Sequence, residues 1–142
     1  MSESPSVQRS FRLSRSTAEL LDAYVATSAG ENRNSAVERL LAEGLRLEKH
    51  PLVRFRTGTA GRREPLIVGT RLKLRQLVAD VRAHDNDVVA VATLLEIPES
   101  WVRAAMSYYA EFADEVEADI AWAARAEAEE YERWQREQAV LA

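Results

Sequence analysis

Residues 7–13 alternate between apolar and polar. Val7, Phe11 and Leu13 share one parity, while Gln8, Ser10 and Arg12 share the other. That alternation predicts a short strand with one apolar face, which Arg9 interrupts. Ser16 and Glu19 then stand at capping-box spacing, so a helix is expected there, carrying Leu20, Leu21, Tyr24 and Val25 and stopping near Gly30. Asn34 or Ser35 caps a second helix, on which Val37, Leu40, Leu41, Gly44 and Leu45 repeat at i, i+3, i+4, i+7 and i+8. His50-Pro51 ends it.

The middle of the chain changes period. Leu52 to Arg56 and Pro65 to Gly69 read as two strands around a turn containing Gly58 and Gly61. Arg71, Lys73 and Arg75 continue with one parity, which predicts a basic strip. A helix follows with Leu74, Leu77, Val78 and Val81 on one face. Asp85-Asn86-Asp87 breaks it and caps another, Val88 to Leu95. After the turn at Ile97-Pro98, Trp101, Val102, Ala105, Tyr108, Tyr109 and Phe112 recur at helical spacing. Two short helices across a tight turn have the outline of a helix-turn-helix, whose second helix would present Arg103. From Glu111 to Leu141 there is no Gly or Pro, and one long helix is expected. Val116, Ile120, Ala124, Ala128, Tyr131 and Trp134 make a thin apolar seam on it, with Trp122 off the seam.

A strand and two short helices cannot bury enough apolar surface alone. A second copy repairs this. Two strands pair antiparallel over four helices, with Phe11, Leu13, Leu20, Val37 and Leu41 in a shared core. The opposite face of the ribbon then presents Gln8, Ser10 and Arg12, whose side chains include types able to read base edges in a major groove. By itself the alternation also fits a merely solvated strand face.

Composition narrows the function. Net charge is −4, yet residues 51–110 hold nine Lys/Arg against six Asp/Glu, and residues 111–142 hold three against ten. A basic body with an acidic end can hold two different partners. The absence of cysteine excludes disulfides, thiolate metal sites and thiol nucleophiles. His50 and His84 do not suggest a metal site. No phosphate loop or histidine-centred constellation accompanies the acids Asp114, Glu115, Glu117 and Asp119, so neither an enzyme nor a cofactor or small-molecule substrate is expected. The polar start after Met1 offers no signal peptide, and no segment suits a bilayer, so a cytoplasmic protein without membrane contact is expected.

Residues 6–48 resemble the ribbon-helix-helix family, which includes Arc- and CopG-like repressors and many antitoxins. The resemblance implies base contacts from Gln8, Ser10 and Arg12, and a phosphate clamp at Asn34 and Ser35, where free amides at a helix start favour an anion. Residues 50–120 resemble a small domain of VapB-type antitoxins that accompany PIN-like ribonuclease toxins. The matching residues are His50-Pro51, Pro65-Leu66-Ile67-Val68-Gly69-Thr70-Arg71-Leu72 and Ala104-Ala105-Met106-Ser107-Tyr108-Tyr109. Arg62-Arg63-Glu64 departs from the glycine that such proteins usually carry before the Pro-x-Ile strand. Gly69 and Thr70 also read simply as a tight turn with a local side-chain bond.

The expected chain is mainly α with short β. An intertwined ribbon-helix-helix dimer (1–49) precedes a β-hairpin and helix-turn-helix-like domain (50–112), then a long acidic helix (113–142). The resemblance implies a type II antitoxin that represses its operon as a dimer on double-stranded operator DNA and neutralises a PIN-like toxin. Ile120, Trp122, Tyr131 and Trp134 are the candidate toxin contacts, unless that helix docks on its own body. Arg71, Lys73, Arg75 and Arg103 are a possible second basic surface. The rival expectation is a stand-alone dimeric repressor whose second domain and tail only build a larger oligomer.

Overall fold

The computed structural model describes residues 5–28 and 30–142; the polar start at Met1 and Ala29, within the expected 1–49 domain, lie outside the described residues. The chain divides into two compact units, 1–43 and 44–142. The fold is mainly helical with one two-stranded antiparallel sheet and a long C-terminal helix.

In the first unit, helix α1 spans Arg15–Thr27. Its cap is Ser14, whose side chain accepts the Thr17 amide at 3.2 Å, so the expected cap at Ser16 falls inside the helix instead. Three hydroxyl residues within four positions each suit a cap, and the helix takes the first. Helix α2, Arg33–Lys49, starts where the Asn32 side chain accepts the Ser35 amide at 2.8 Å. That again precedes the expected cap at Asn34 or Ser35. Residues 7–13 form no strand in this single copy. A strand needs a neighbouring edge to receive its amides and carbonyls, and the described residues of one copy supply none there.

In the second unit, β1 (Val53–Thr57) pairs antiparallel with β2 (Arg63–Ile67), Val53 opposite Ile67 and Thr57 opposite Arg63. Gly69, at φ +74°, turns the chain out of β2. Thr70 Oγ1 donates to the Ile67 carbonyl at 2.8 Å and accepts the Leu72 amide at 3.0 Å, a local role that its sequence position allowed. Helix α3 (Leu74–Ala83) then begins, with Gln76 Oε1 accepting the Lys73 amide. Asp85 and Asn86 take left-handed conformations and Asp87 caps α4 (Val88–Leu95) through the Ala90 amide. Helix α5 (Glu99–Glu111) starts after Pro98, and a break at Phe112 separates it from α6 (Ala113–Leu141).

One apolar core holds this unit together. Val53 and Ile67 from the hairpin meet Leu74, Leu77, Val78 and Val81 of α3, Val91 of α4, Val102, Ala105 and Tyr108 of α5, and Val116 of α6. Each element thus contributes the apolar stripe that its sequence period marks. Helix α6 packs only through its first half. From Glu127 onward every residue is exposed.

Candidate DNA-binding and partner-binding surfaces

The first unit has almost no core of its own. Helix α1 buries no residue and α2 buries only Ala36. Phe11 and Leu20 are 75% and 72% exposed, and Leu13 and Leu41 are more than half exposed or close to it. With Val37 they line one open apolar groove of about 850 Å³, together with Thr17, Leu21, Tyr24 and Leu40. All five residues expected to build a dimer core therefore face one cavity. Gln8, Ser10 and Arg12 are exposed, and Arg12 also borders the groove.

The sequence reading missed what ties α1 to α2. Arg39 donates to the Glu31 carboxylate at 2.9 Å and to the Tyr24 hydroxyl, while Arg33 reaches Asp22 at 2.7 Å. Bonding to Glu31 raises the Arg39 pKa further above its ordinary range. At the start of α2, Asn34 and Ser35 are exposed, but the Ser35 amide is already taken by Asn32. The phosphate clamp expected there therefore has one fewer free amide than its residues imply.

The expected basic strip is broken up. Lys73 lies 3.3 Å from Glu64, Arg103 pairs with Glu99 one turn earlier at 2.7 Å, and Arg75 has turned onto α3 with its Nε buried. Of these four cations, Arg71 alone is exposed and makes no ion pair with a described residue. Alternating charge suggested a continuing strand, but the chain becomes helical at Leu74, which rotates Arg75 away from Arg71 and Lys73.

The four aromatic and aliphatic residues expected at a partner interface separate into two pairs. Ile120 packs against the core. Trp122 lies under the Arg62 guanidinium, 4.5 Å from carbon to ring centroid, and Arg62 also reaches Asp119 at 2.6 Å. Burial pushes the Asp119 carboxyl up, against the pull of Arg62. Tyr131 and Trp134 are 57% and 52% exposed and stack on each other at 5.8 Å.

A second group that sequence reasoning did not find gathers at the α5–α6 break. His50 Nε2 lies 2.8 Å from Glu111, which Lys49 also reaches at 3.0 Å, and the imidazole meets the edges of Tyr108 and Phe112. The hydrogen bond to His50, then that to Lys49, holds the Glu111 carboxyl below its ordinary value. Burial pushes the Tyr108 phenol up, opposed by Arg46. All of these groups lie in the second unit, where they fasten the last turn of α2 to the end of α5.

No group of three or more His, Cys, Asp or Glu placed to hold a metal ion occurs among the described residues. No described helix is long and apolar enough to cross a membrane. No protein-family model, curated protein or solved structure matches the chain.

Proposed function

We propose that the chain is a dimeric DNA-binding antitoxin. The observation that carries this is the first unit's apolar groove. Phe11, Leu13, Leu20, Val37 and Leu41 share it, and one copy leaves it open. Burying a Leu or Phe side chain stabilises by about 1.5–3 kcal/mol, so ten such positions in two copies supply the core that one copy lacks. A second copy that closes the groove also gives each 7–13 segment the antiparallel edge it needs. The resulting ribbon presents Gln8, Ser10 and Arg12 twice, related by a two-fold axis, which fits a palindromic operator.

The free end of α6 is the toxin-binding segment in this reading. Residues 111–142 carry ten acids against three cations, which complements the basic groove of a ribonuclease of the PIN-like class. Tyr131 and Trp134 are the exposed aromatic anchors on that end, and such residues often dominate interface energy.

The test is co-expression with the product of the neighbouring reading frame, followed by mass measurement of what copurifies and footprinting on upstream DNA. A complex containing two or more copies of this chain with a small nuclease, protecting a palindrome, is expected. Arg12→Ala should weaken specific binding by about 1–3 kcal/mol and leave the dimer intact. A footprint with no copurifying protein makes the chain a stand-alone repressor. A monomer with no footprint ends the proposal.

A further inference from the structure

Residues 51–75 carry seven Lys/Arg and a single acid, Glu64, in a chain whose net charge is −4. Arg62 and Lys73 are paired with Asp119 and Glu64, Arg63 donates to the Thr57 hydroxyl, and the Arg75 Nε is buried. Arg54 and Arg56 lie on β1. Arg54 lies opposite Leu66, which bridges to Lys73, and Arg56 lies opposite Glu64. Cross-strand partners share a face, so Arg54, Arg56 and Lys73 stand on the side of the sheet away from Val53 and Phe55. Arg54 and Arg56 are exposed, two residues and about 6.6 Å apart along the strand. Arg71 is exposed at the turn after β2.

Among the described residues, Arg54 donates to the carbonyls of Pro51 and Val53 and makes no ion pair. Among the described residues, Arg56 and Arg71 make no ion pair. Glu64 is sunk below the surface, 4% exposed and 3.3 Å from Lys73. Its carboxylate fills the space beside Gly58, where a Cβ would collide with Oε2. Glu64 shares this face with Arg56, but its carboxylate is buried beside Gly58 and Lys73, whereas Arg54 and Arg56 are exposed.

We propose that this face of the hairpin, together with the turn after β2, is a second DNA contact, in which Arg54, Arg56 and Arg71 bind backbone phosphates. The proposal rests on the DNA-binding reading above. Phosphates follow one strand of duplex DNA at about 3.4 Å of axial rise and farther apart along the winding backbone, so Arg54 and Arg56 are spaced to meet neighbouring phosphates. Among the described residues no large apolar side chain is exposed between residues 46 and 88. A protein partner would find no aromatic or aliphatic anchor here, whereas nucleic-acid interfaces are polar and strongly positive. The contact is independent of sequence, because guanidinium–phosphate pairs carry no base information.

The experiment uses the full chain and a labelled duplex without operator sequence, with affinity followed against salt. Arg56→Gln/Arg71→Gln removes two charges that make no ion pair in the protein, so melting and dimer mass should stay unchanged. Each lost phosphate contact lowers the log–log salt slope by about 0.9, so the expected fall is about 2 for each protomer that touches the duplex and about 4 when both do. The affinity ratio between about 50 and 200 mM salt should then shrink roughly tenfold for each protomer engaged. Arg56→Lys/Arg71→Lys should keep the slope. An unchanged slope in the folded glutamine variant overturns the proposal, as does a loss of oligomer mass, which would make the face a contact between copies. If operator preference survives while the slope does not move, the hairpin alone is wrong. If the unaltered chain binds no duplex, both readings fall together.

Discussion

Arg46 grips the Glu115 carboxylate through both terminal nitrogens, with Nη2 2.7 Å from Oε1. The same guanidinium donates to the Tyr108 hydroxyl at 3.0 Å and lies 4.1 Å over the Phe112 ring. One side chain near the end of α2 thereby joins α5, the α5–α6 break and the first turn of α6. Arg46→Ala should destabilise by about 1–2 kcal/mol. A charge-assisted hydrogen bond contributes about 1.5–3 kcal/mol when sheltered, but Glu115 is half exposed and water competes. Denaturant unfolding of R46A, E115Q and the double variant measures the coupling. Fully additive effects would mean the pair contributes nothing.

Glu111 makes acid stability depend on the same corner. Its carboxyl is held below the ordinary value of 4.5 in the folded chain by His50 and Lys49. The unfolded state therefore binds more protons between the two values, and this contribution is present above 4.5 and is lost as pH falls through the folded value. Glu111→Gln lacks that contribution at every pH. The melting temperatures of the two proteins should differ at pH 6 and converge as pH falls from 4.5 through the folded value. A constant gap across that range contradicts the assignment.

Elements with a local cause were legible in the sequence. The alternation of β1, the stripe of α3 and the Asp87 cap of α4 each depend on residues a few positions apart. Cap choice was less so, because Ser14 and Ser16, or Asn32 and Asn34, differ in position but not in chemistry. Arg62 and Asp119 are far apart in the chain, and no spacing rule joins them. The α6 seam illustrates the limit best. Ile120 and Trp134 belong to one periodic stripe, and only the packing of α3, which covers the first half, shows which end is free.

The apolar groove gives a sharp mutational contrast. Leu20 is 72% exposed in one copy, so Leu20→Asp costs a lone chain about 0.5 kcal/mol or less, as for an ordinary surface change. In a closed dimer the same change buries an unpaired carboxylate, which costs several kcal/mol. Sedimentation equilibrium should therefore find L20D monomeric at concentrations where the unaltered chain is dimeric, and Phe11→Asp should behave alike. Should L20D keep its dimer, the groove is not the interface.

Truncation separates the two halves of α6. Every residue from Glu127 is exposed, so removing 127–142 takes away no core contact and should leave denaturant stability within about 0.5 kcal/mol. Removing 121–142 also takes Trp122 from under Arg62, a cation–π contact of about 0.5–2 kcal/mol, and should lower stability by that order. Both truncations delete Tyr131 and Trp134. If these two anchor the toxin, the shorter deletion already abolishes its capture while operator binding persists. Capture that survives the loss of 127–142 but not of 121–142 would shift the contact to Trp122 and the body of the second unit.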